Sequence, residues 1–251
     1  MEVRRKIEAS PQLNRDVPSF DDWRVLVDGT RTASEHMALD DALASDATPT
    51  ARFFTWDPPA VSLGWRQPCP EWLKAARGPT ARFEIVERPT GGGIAIHGSD
   101  VSIAVVIPRA LGRSLDAMMR TVCQSAARLC RWYGVEAMAA SDAPGAGRIV
   151  YCLAEPSPYA VLVGHRKVAG FAIRRYPASW LIQGSLLIRP LSRALTEAMP
   201  SEDRQRLEDR ALPLVCVATA PVTEPDAASQ WAERWAAWWQ APAVEPLPLA
   251  A

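Results

Sequence analysis

Neither sign of charge is in excess: 28 Lys+Arg face 28 Asp+Glu over 251 residues, so no broad positive field exists to gather nucleic acid or an anionic membrane surface. Neither is an expected partner. Long apolar runs are missing too. The richest stretches are broken by Arg, Asp or Pro within about ten residues, well short of the ~20 that a membrane-spanning helix needs. No apolar signal segment opens the chain, and the five cysteines (Cys69, Cys123, Cys130, Cys152, Cys216) are an odd number without paired metal-ligand spacing. A reducing cytoplasm is the expected setting, with no metal site. The one glycine run is followed by neither Gly-Lys-Ser/Thr nor a helix, which excludes a phosphate-binding Walker loop and a dinucleotide fingerprint.

What is present reads as ordinary globular chain, 48% hydrophobic and 22% charged, with length for one well-buried domain. The first residues, 1–22, mix charges and prolines without periodicity and are expected as a mobile arm. The fold is expected over 23–240, with an extended tail at 241–251. WRVLVDG reads as a strand, and Ser34 is the expected cap of a helix reaching about Ser45. ARFFTW, AVSLG, FEIVER, GIAI and VSIAVVIP are short β-rich runs, with a helical stretch near Glu71 to Ala76. From Ser114 to Tyr133 apolar residues fall at three- and four-residue spacing, predicting one long amphipathic helix that places Cys123 and Cys130 in packing positions.

After a loop at SDAPGAG, the runs IVYC, YAVLVG, RKVAGFAIR and WLIQGSLLI resume the strand signal. SEDRQRLEDR predicts a surface helix, and ALPLVCV a strand or extended connection with Cys216 in the core. A last helix from about Asp226 to Gln240 aligns Trp231, Trp235 and Trp238. Strand pairs in hairpin order, not strict βαβ alternation, predict an α+β fold with a mixed, largely antiparallel sheet and flanking helices.

Two stretches concentrate the chemistry. In ERPTGGGIAIHGSDVSIAVVIP, Gly91, Gly92 and Gly93 separate two predicted strands, with Arg88 before them and His97 after. Glycines there let backbone N–H groups approach a ligand, although a slack hairpin connection fits the same residues. In YCLAEPSPYAVLVGHRKVAGFAIRR, Lys167 opens the return strand of a hairpin beside small residues, and Cys152 precedes a Pro-containing loop. Read alone, Lys167 fits a solvated lysine as well as an electrostatic catalyst, and Cys152 fits core packing as well as a nucleophile.

Together the two stretches resemble the lipoate-protein ligase, octanoyltransferase and biotin-protein ligase superfamily. RPTGGGIAIHG from Arg88 to Gly98 is similar to that family's Arg-Arg-x-Ser/Thr-Gly-Gly-Gly pattern with its following His, and HRKVAG from His165 to Gly170 to its Gly-Arg-Lys-x-Ala/Ser-Gly pattern. Gln183-Gly184-Ser185, MALDDALA and AVSLGWRQ add weaker matches in the same order. The resemblance implies the biotin/lipoate protein ligase catalytic-domain fold, with Arg88, Gly91, Gly92, Gly93, Ile94, Ala95, His97, Ala169, Gly170 and Gln183 around the substrate. Three positions depart from the pattern. Glu87 stands in place of the first paired arginine, where it bears on nucleotide or carboxylate binding; Phe171 and Ile173 replace a usual Ser/Thr and Gln, with expected effects on the acyl tunnel.

Cys152-Leu153-Ala154-Glu155-Pro156-Ser157-Pro158-Tyr159 resembles the cysteine-dependent octanoyltransferase branch, and no accessory domain like that of full-length lipoate ligases follows the last helix. That branch implies Cys152 as the acyl carrier and Lys167 as the cation that favours its thiolate and the oxyanion. It implies no cofactor, and an acyl-carrier protein or lipoyl-type domain (glycine cleavage H protein or a 2-oxoacid dehydrogenase subunit) as partner. The alternative is an ATP-dependent lipoate or biotin ligase, using ATP and Mg, with Arg88, the glycines and Lys167 around an adenylate. A third reading is a non-catalytic lipoyl-domain binder.

Overall fold

A computed structural model describes residues 23–76, 78, 82–140 and 150–239, apart from the side chains of 236–239. The expected arm, the SDAPGAG loop and the tail lie outside the described residues. In chain order the elements begin with β1 (Arg24–Arg31), α1 (Ala33–Asp46), β2 (Thr50–Trp56), β3 (Ala60–Leu63), α2 (Glu71–Ala75) and β4 (Glu84–Glu87). Next come β5 (Ala95–His97), β6 (Asp100–Pro108), α3 (Leu115–Trp132), β7 (Met138–Ala140), β8 (Ala160–Val163), β9 (Arg166–Arg175) and β10 (Ser179–Leu187). The described chain closes with α4 (Arg193–Ala198), α5 (Ser201–Arg210) and α6 (Glu224–Trp239).

Ten strands divide into two sheets, of order β1-β2-β6-β10-β9-β8-β7 and β4-β3-β5. In the large sheet β1 and β2 run parallel, and the remaining neighbours pair antiparallel. β8 and β9 form the expected hairpin around Gly164-His165, and β9 pairs on its other side with β10, with Gly170 opposite Ser185 and Phe171 opposite Gly184. One face of the large sheet packs on α3 and α6, while α1 lies against β6 and β10 from the other side. On the first face Trp231 and Trp235, both 1% exposed, meet the Phe53 ring at 5.4 and 6.1 Å. The expected tryptophan stripe is therefore core-facing at these two positions.

Three expectations require correction. The cap of α1 is Thr32, not Ser34; its hydroxyl accepts from Glu35 N and the Glu35 carboxylate returns the bond to Thr32 N. IVYC makes a single bridge, Tyr151 with Ile94, before the chain turns back on itself through Ala154 and Glu155 N–H bonds to the Tyr151 carbonyl. ALPLVCV forms a 3-10 turn at Leu214–Cys216, and Cys216 is exposed instead of buried. Pro213 lacks the N–H a central strand would need and sits as that turn's N-cap.

The buried stripe of α1 is Ala33, His36, Met37, Asp40, Leu43 and Ala44. Its spacing is helical, yet two members are polar. Arg52 of β2, fully buried, is the reason. Its guanidinium donates to Asp40 Oδ1 at 2.5 Å and Asp28 Oδ2 at 2.9 Å, with His36 Nδ1 at 3.0 Å. Burial, with Arg52 beside it, lowers the His36 pKa to about 4, so the ring stays neutral.

Candidate active site

The glycine run connects β4 in the small sheet to β5, and its exit is zipped to the cysteine turn. Ile94 N donates to Val150 O at 2.7 Å, and Cys152 N donates to Ile94 O at 2.8 Å. A peptide-level clasp thus sets where the Cys152 side chain stands. The loop itself is held from inside by Arg88, only 6% exposed. Its Nη1 donates to Ser62 O at 3.0 Å and Ser62 Oγ at 3.1 Å, and its Nη2 to Gly91 O at 2.7 Å and Gly93 O at 2.6 Å. Gly92 takes φ +93°, and the Gly92 carbonyl lies where a side chain on Gly64 would stand, at 2.1 Å. Both positions therefore need glycine.

Lys167 reaches Cys152 through an irregularity in β9. Pairing with β8 runs Ala160 to Gly170 and Val161 to Ala169, then slips so that Leu162 faces Lys167. Val168 is the extra residue of a β-bulge, and Val168 and Ala169 both enter the core on the α3 side. The bulge turns Lys167 onto the same face as Gly170. A Cβ on Gly170 would lie 2.8 Å from Cys152 Sγ and 3.2 Å from Lys167 Cε, so the missing side chain is the space in which the two groups meet.

Lys167 is 4% exposed, and Nζ donates to Ser157 Oγ at 2.6 Å and Glu155 O at 3.3 Å. An ammonium has three donors. The third has no protein partner among the described residues. Burial lowers the Lys167 pKa from its ordinary value, partly offset by the negative charge that Cys152 and Glu155 can carry.

From this point a narrow cavity runs past Arg88, Ala95, Ala172 and Gln183 to Met37, Phe54 and Trp56. Behind its polar lining of His97, Ser102 and Ser185 lies Asp100. That carboxylate is fully buried and accepts from Gly98 N, Ser102 Oγ and Ser185 Oγ at 3.0, 3.0 and 2.6 Å, with His97 Nδ1 at 2.9 Å. Burial alone would raise the Asp100 pKa, but His97 and these donors outweigh it and hold the group below the usual range. His97 Nε2 meets Ser62 Oγ at 2.8 Å, and its ring stacks on Trp56 at 4.0 Å. Gln183 links α1 to the glycine loop, donating to Asp40 at 2.6 Å and accepting from Thr90 at 2.7 Å.

Of the expected site residues, Cys152, Arg88, Ala95, His97, Gly170 and Gln183 line this cavity, with Lys167 beside Gly170 and Gly91 to Gly93 forming the loop that Arg88 binds. Two are elsewhere: Ile94 packs into the cluster of Leu73, Tyr151 and Leu153, and Ala169 into the α3-side core. Phe171 and Ile173 also belong to that core face, so they do not shape the cavity as expected. The Phe171 ring occupies the space over Gly184, where a Cβ would lie 2.1 Å from it. Asp100, Ser102 and Ser157 escaped the sequence reading. A carboxylate opening a strand that is apolar at every other position but Ser102 was the available signal for Asp100.

The fold brings a cysteine and a lysine together over Gly170 at one end of this cavity. The chain belongs to the lipoyl protein ligase A/B catalytic-domain family, whose profile matches residues 32–223. It is 30% identical over 222 residues to the octanoyltransferase LipM of Kyrpidia tusciae, covering 80% of this chain and 81% of that one. A lipoate-protein ligase A solved with bound ATP superposes with a TM-score of 0.64 at 19% identity, covering 85% of this chain and 83% of that one. A bipartite lipoate protein ligase from Thermoplasma acidophilum, described with its E2 lipoyl domain, gives 0.61 at 19% identity over 85% of this chain and 82% of that one. Among the described residues no helix is long and apolar enough to cross a membrane, and no group of three His, Cys, Asp or Glu is disposed to hold a metal.

Proposed function

We infer that this chain is an octanoyl/lipoyl acyltransferase that carries the acyl group on Cys152. The observation that carries the reading is the shared space over Gly170, where Cys152 Sγ and the buried Lys167 side chain converge at the head of the cavity. The Cys152 thiolate attacks the carbonyl of a donor thioester. Lys167 and backbone N–H groups of the glycine loop stabilise the oxyanion, and the carrier thiol leaves with a proton. The neutral amine of an acceptor lysine then attacks the enzyme thioester, forming the amide and returning Cys152 with release of the amine's proton. An acyl-carrier protein is the proposed donor, and a lipoyl-type domain the proposed donor or acceptor, in the reducing cytoplasm where the thiol stays available. Burying six methylenes would contribute on the order of 5 kcal/mol to holding the chain.

The ATP-dependent alternative has less support from the same residues. Arg88 already directs four N–H contacts to Ser62, Gly91 and Gly93, which leaves it poorly placed to bridge phosphates. Glu87, exposed, lines a neighbouring hollow with Arg88 and Arg174, where its carboxylate works against a bound triphosphate. Both features favour the cofactor-free reading. Incubation with octanoyl-carrier protein and no ATP should add one octanoyl mass, labile to hydroxylamine and mapping to the Cys152 peptide. Transfer that needs ATP and proceeds in Cys152→Ser would overturn the assignment.

A further inference from the structure

We propose that Asp203 and Arg206 of α5 are positioning residues for the Cys152 thiol, acting through Tyr151 and Glu155; the proposal rests on the acyl-cysteine reading above. By sequence α5 is an ordinary surface helix, rich in charge. Its buried and half-buried positions are nevertheless Asp203, Arg204, Arg206 and Leu207, of which Asp203, Arg206 and Leu207 form a stripe at helical spacing. Leu207, 2% exposed, packs in the same cluster as Tyr151, Leu153 and Ile94. The two charged members of the stripe reach the residues that bracket the cysteine.

Tyr151, 1% exposed, donates its hydroxyl to Asp203 Oδ2 at 2.9 Å. Glu155 Oε2 accepts from Tyr151 N at 2.6 Å, and Glu155 Oε1 stands 3.7 Å from Arg206 Nη1. The Glu155 carbonyl in turn accepts from Lys167 Nζ. Cys152 therefore sits inside a turn whose start and end are both gripped by one face of α5.

The far end of the same helix grips β9. Leu212 N donates to Lys167 O at 2.9 Å, and the Arg166 guanidinium donates to Glu208 O at 2.8 Å and to Ala211 O. One helix thus indexes the nucleophile's turn against the lysine's strand, two segments that lie on different elements of the fold. Displacing a reacting group by about 1 Å costs on the order of 10²-fold in rate, so loosening this grip should appear in chemistry before it appears in global stability.

The test is the single-turnover rate of thioester formation with saturating octanoyl-carrier protein, followed by intact mass, alongside the thermal midpoint. Tyr151→Phe removes one oxygen and keeps the packing, so it remains informative even if larger changes fail to fold. It should slow acylation about tenfold at saturating donor with KM unchanged. Asp203→Leu should match it, and the double variant should be no slower than the slower single variant, because one bond is being removed. Asp203→Asn should restore the rate to within about threefold, since its amide oxygen still accepts from Tyr151. A wild-type enzyme that takes no octanoyl mass would sink the acyl-cysteine reading itself. A wild type that acylates, beside Tyr151→Phe and Asp203→Leu variants that acylate equally fast, would overturn the positioning role alone.

Discussion

Cys123 and Cys152 both feel the charge of Lys167, yet only one of them is built to react. Cys123 lies on α3 in the core, 2% exposed, and burial pushes its thiol pKa far up despite Lys167 and Arg120 nearby. Cys130 on the same helix is pushed up to about 12 for the same reason. Cys152, half-buried, opens into the cavity through the space left by Gly170. A neighbouring cation does not by itself make a thiol nucleophilic; the thiolate also needs a setting that does not penalise its charge and a path for the acyl group.

The contrast is tested most severely at the thiols themselves. Cys152→Ser should abolish both the octanoyl adduct and transfer, because a serine hydroxyl is far less nucleophilic without a dedicated base; intact mass and an acceptor-labelling assay read this directly. Lys167→Ala should lower kcat by several hundred-fold, within the roughly 10²–10³ range for loss of a group that stabilises an oxyanion. Lys167→Arg should not restore it, because the planar fork does not fit the space of a compact ammonium.

The same lysine predicts opposite pH trends for stability and activity. Its folded-state pKa lies below the ordinary lysine value of 10.5. Between the two values the unfolded chain holds a proton that the folded one has released, so this group's contribution to stability increases as pH rises. Over that window the ammonium is lost and turnover should fall. Thermal midpoints and kcat measured across the alkaline range would check both directions, and an alkaline limb that persists unchanged in Lys167→Ala would count against the assignment.

Smaller effects lie at the glycine and at the silent thiol. Gly170→Ala places a methyl 2.8 Å from Cys152 Sγ, and the resulting displacement should cost roughly 10²-fold in acylation with a much smaller change in melting temperature. Cys123→Ser should leave thioester formation intact and lower stability by about 1–3 kcal/mol if the new hydroxyl finds no partner, as denaturant titration would show. A Cys123→Ser enzyme that loses its octanoyl adduct would reverse the comparison.

Much of this arrangement was legible before any coordinates. The apolar spacing of Ser114 to Tyr133 predicted α3, which the structure has over Leu115–Trp132 with Ser114 as its cap, and the period-two runs predicted most strands of both sheets. The glycine loop, Lys167 and Cys152 were picked out by motif. What escaped depends on contacts between distant segments. His36 and Asp40 look like surface positions on α1 until the Arg52 guanidinium from β2 donates to both. Asp100 looks like a turn residue until Ser102, Ser185 and His97 converge on it. IVYC has strand composition, but among its described residues only Tyr151 finds a bridge partner, and the following turn takes up the Tyr151 carbonyl.

The bulge at Val168 has a consequence for how such motifs are transferred between proteins. In a regular strand, residues three apart point to opposite sides, so a Lys-x-x-Gly spacing should separate its two named residues by the thickness of a sheet. Here they share a side because one residue is counted out of the alternation. The spacing is therefore a parity mark: a lysine and a glycine placed at this distance on an unbulged strand would reproduce the letters of the motif and none of its geometry. Grafting this site onto another sheet means carrying the odd residue with it.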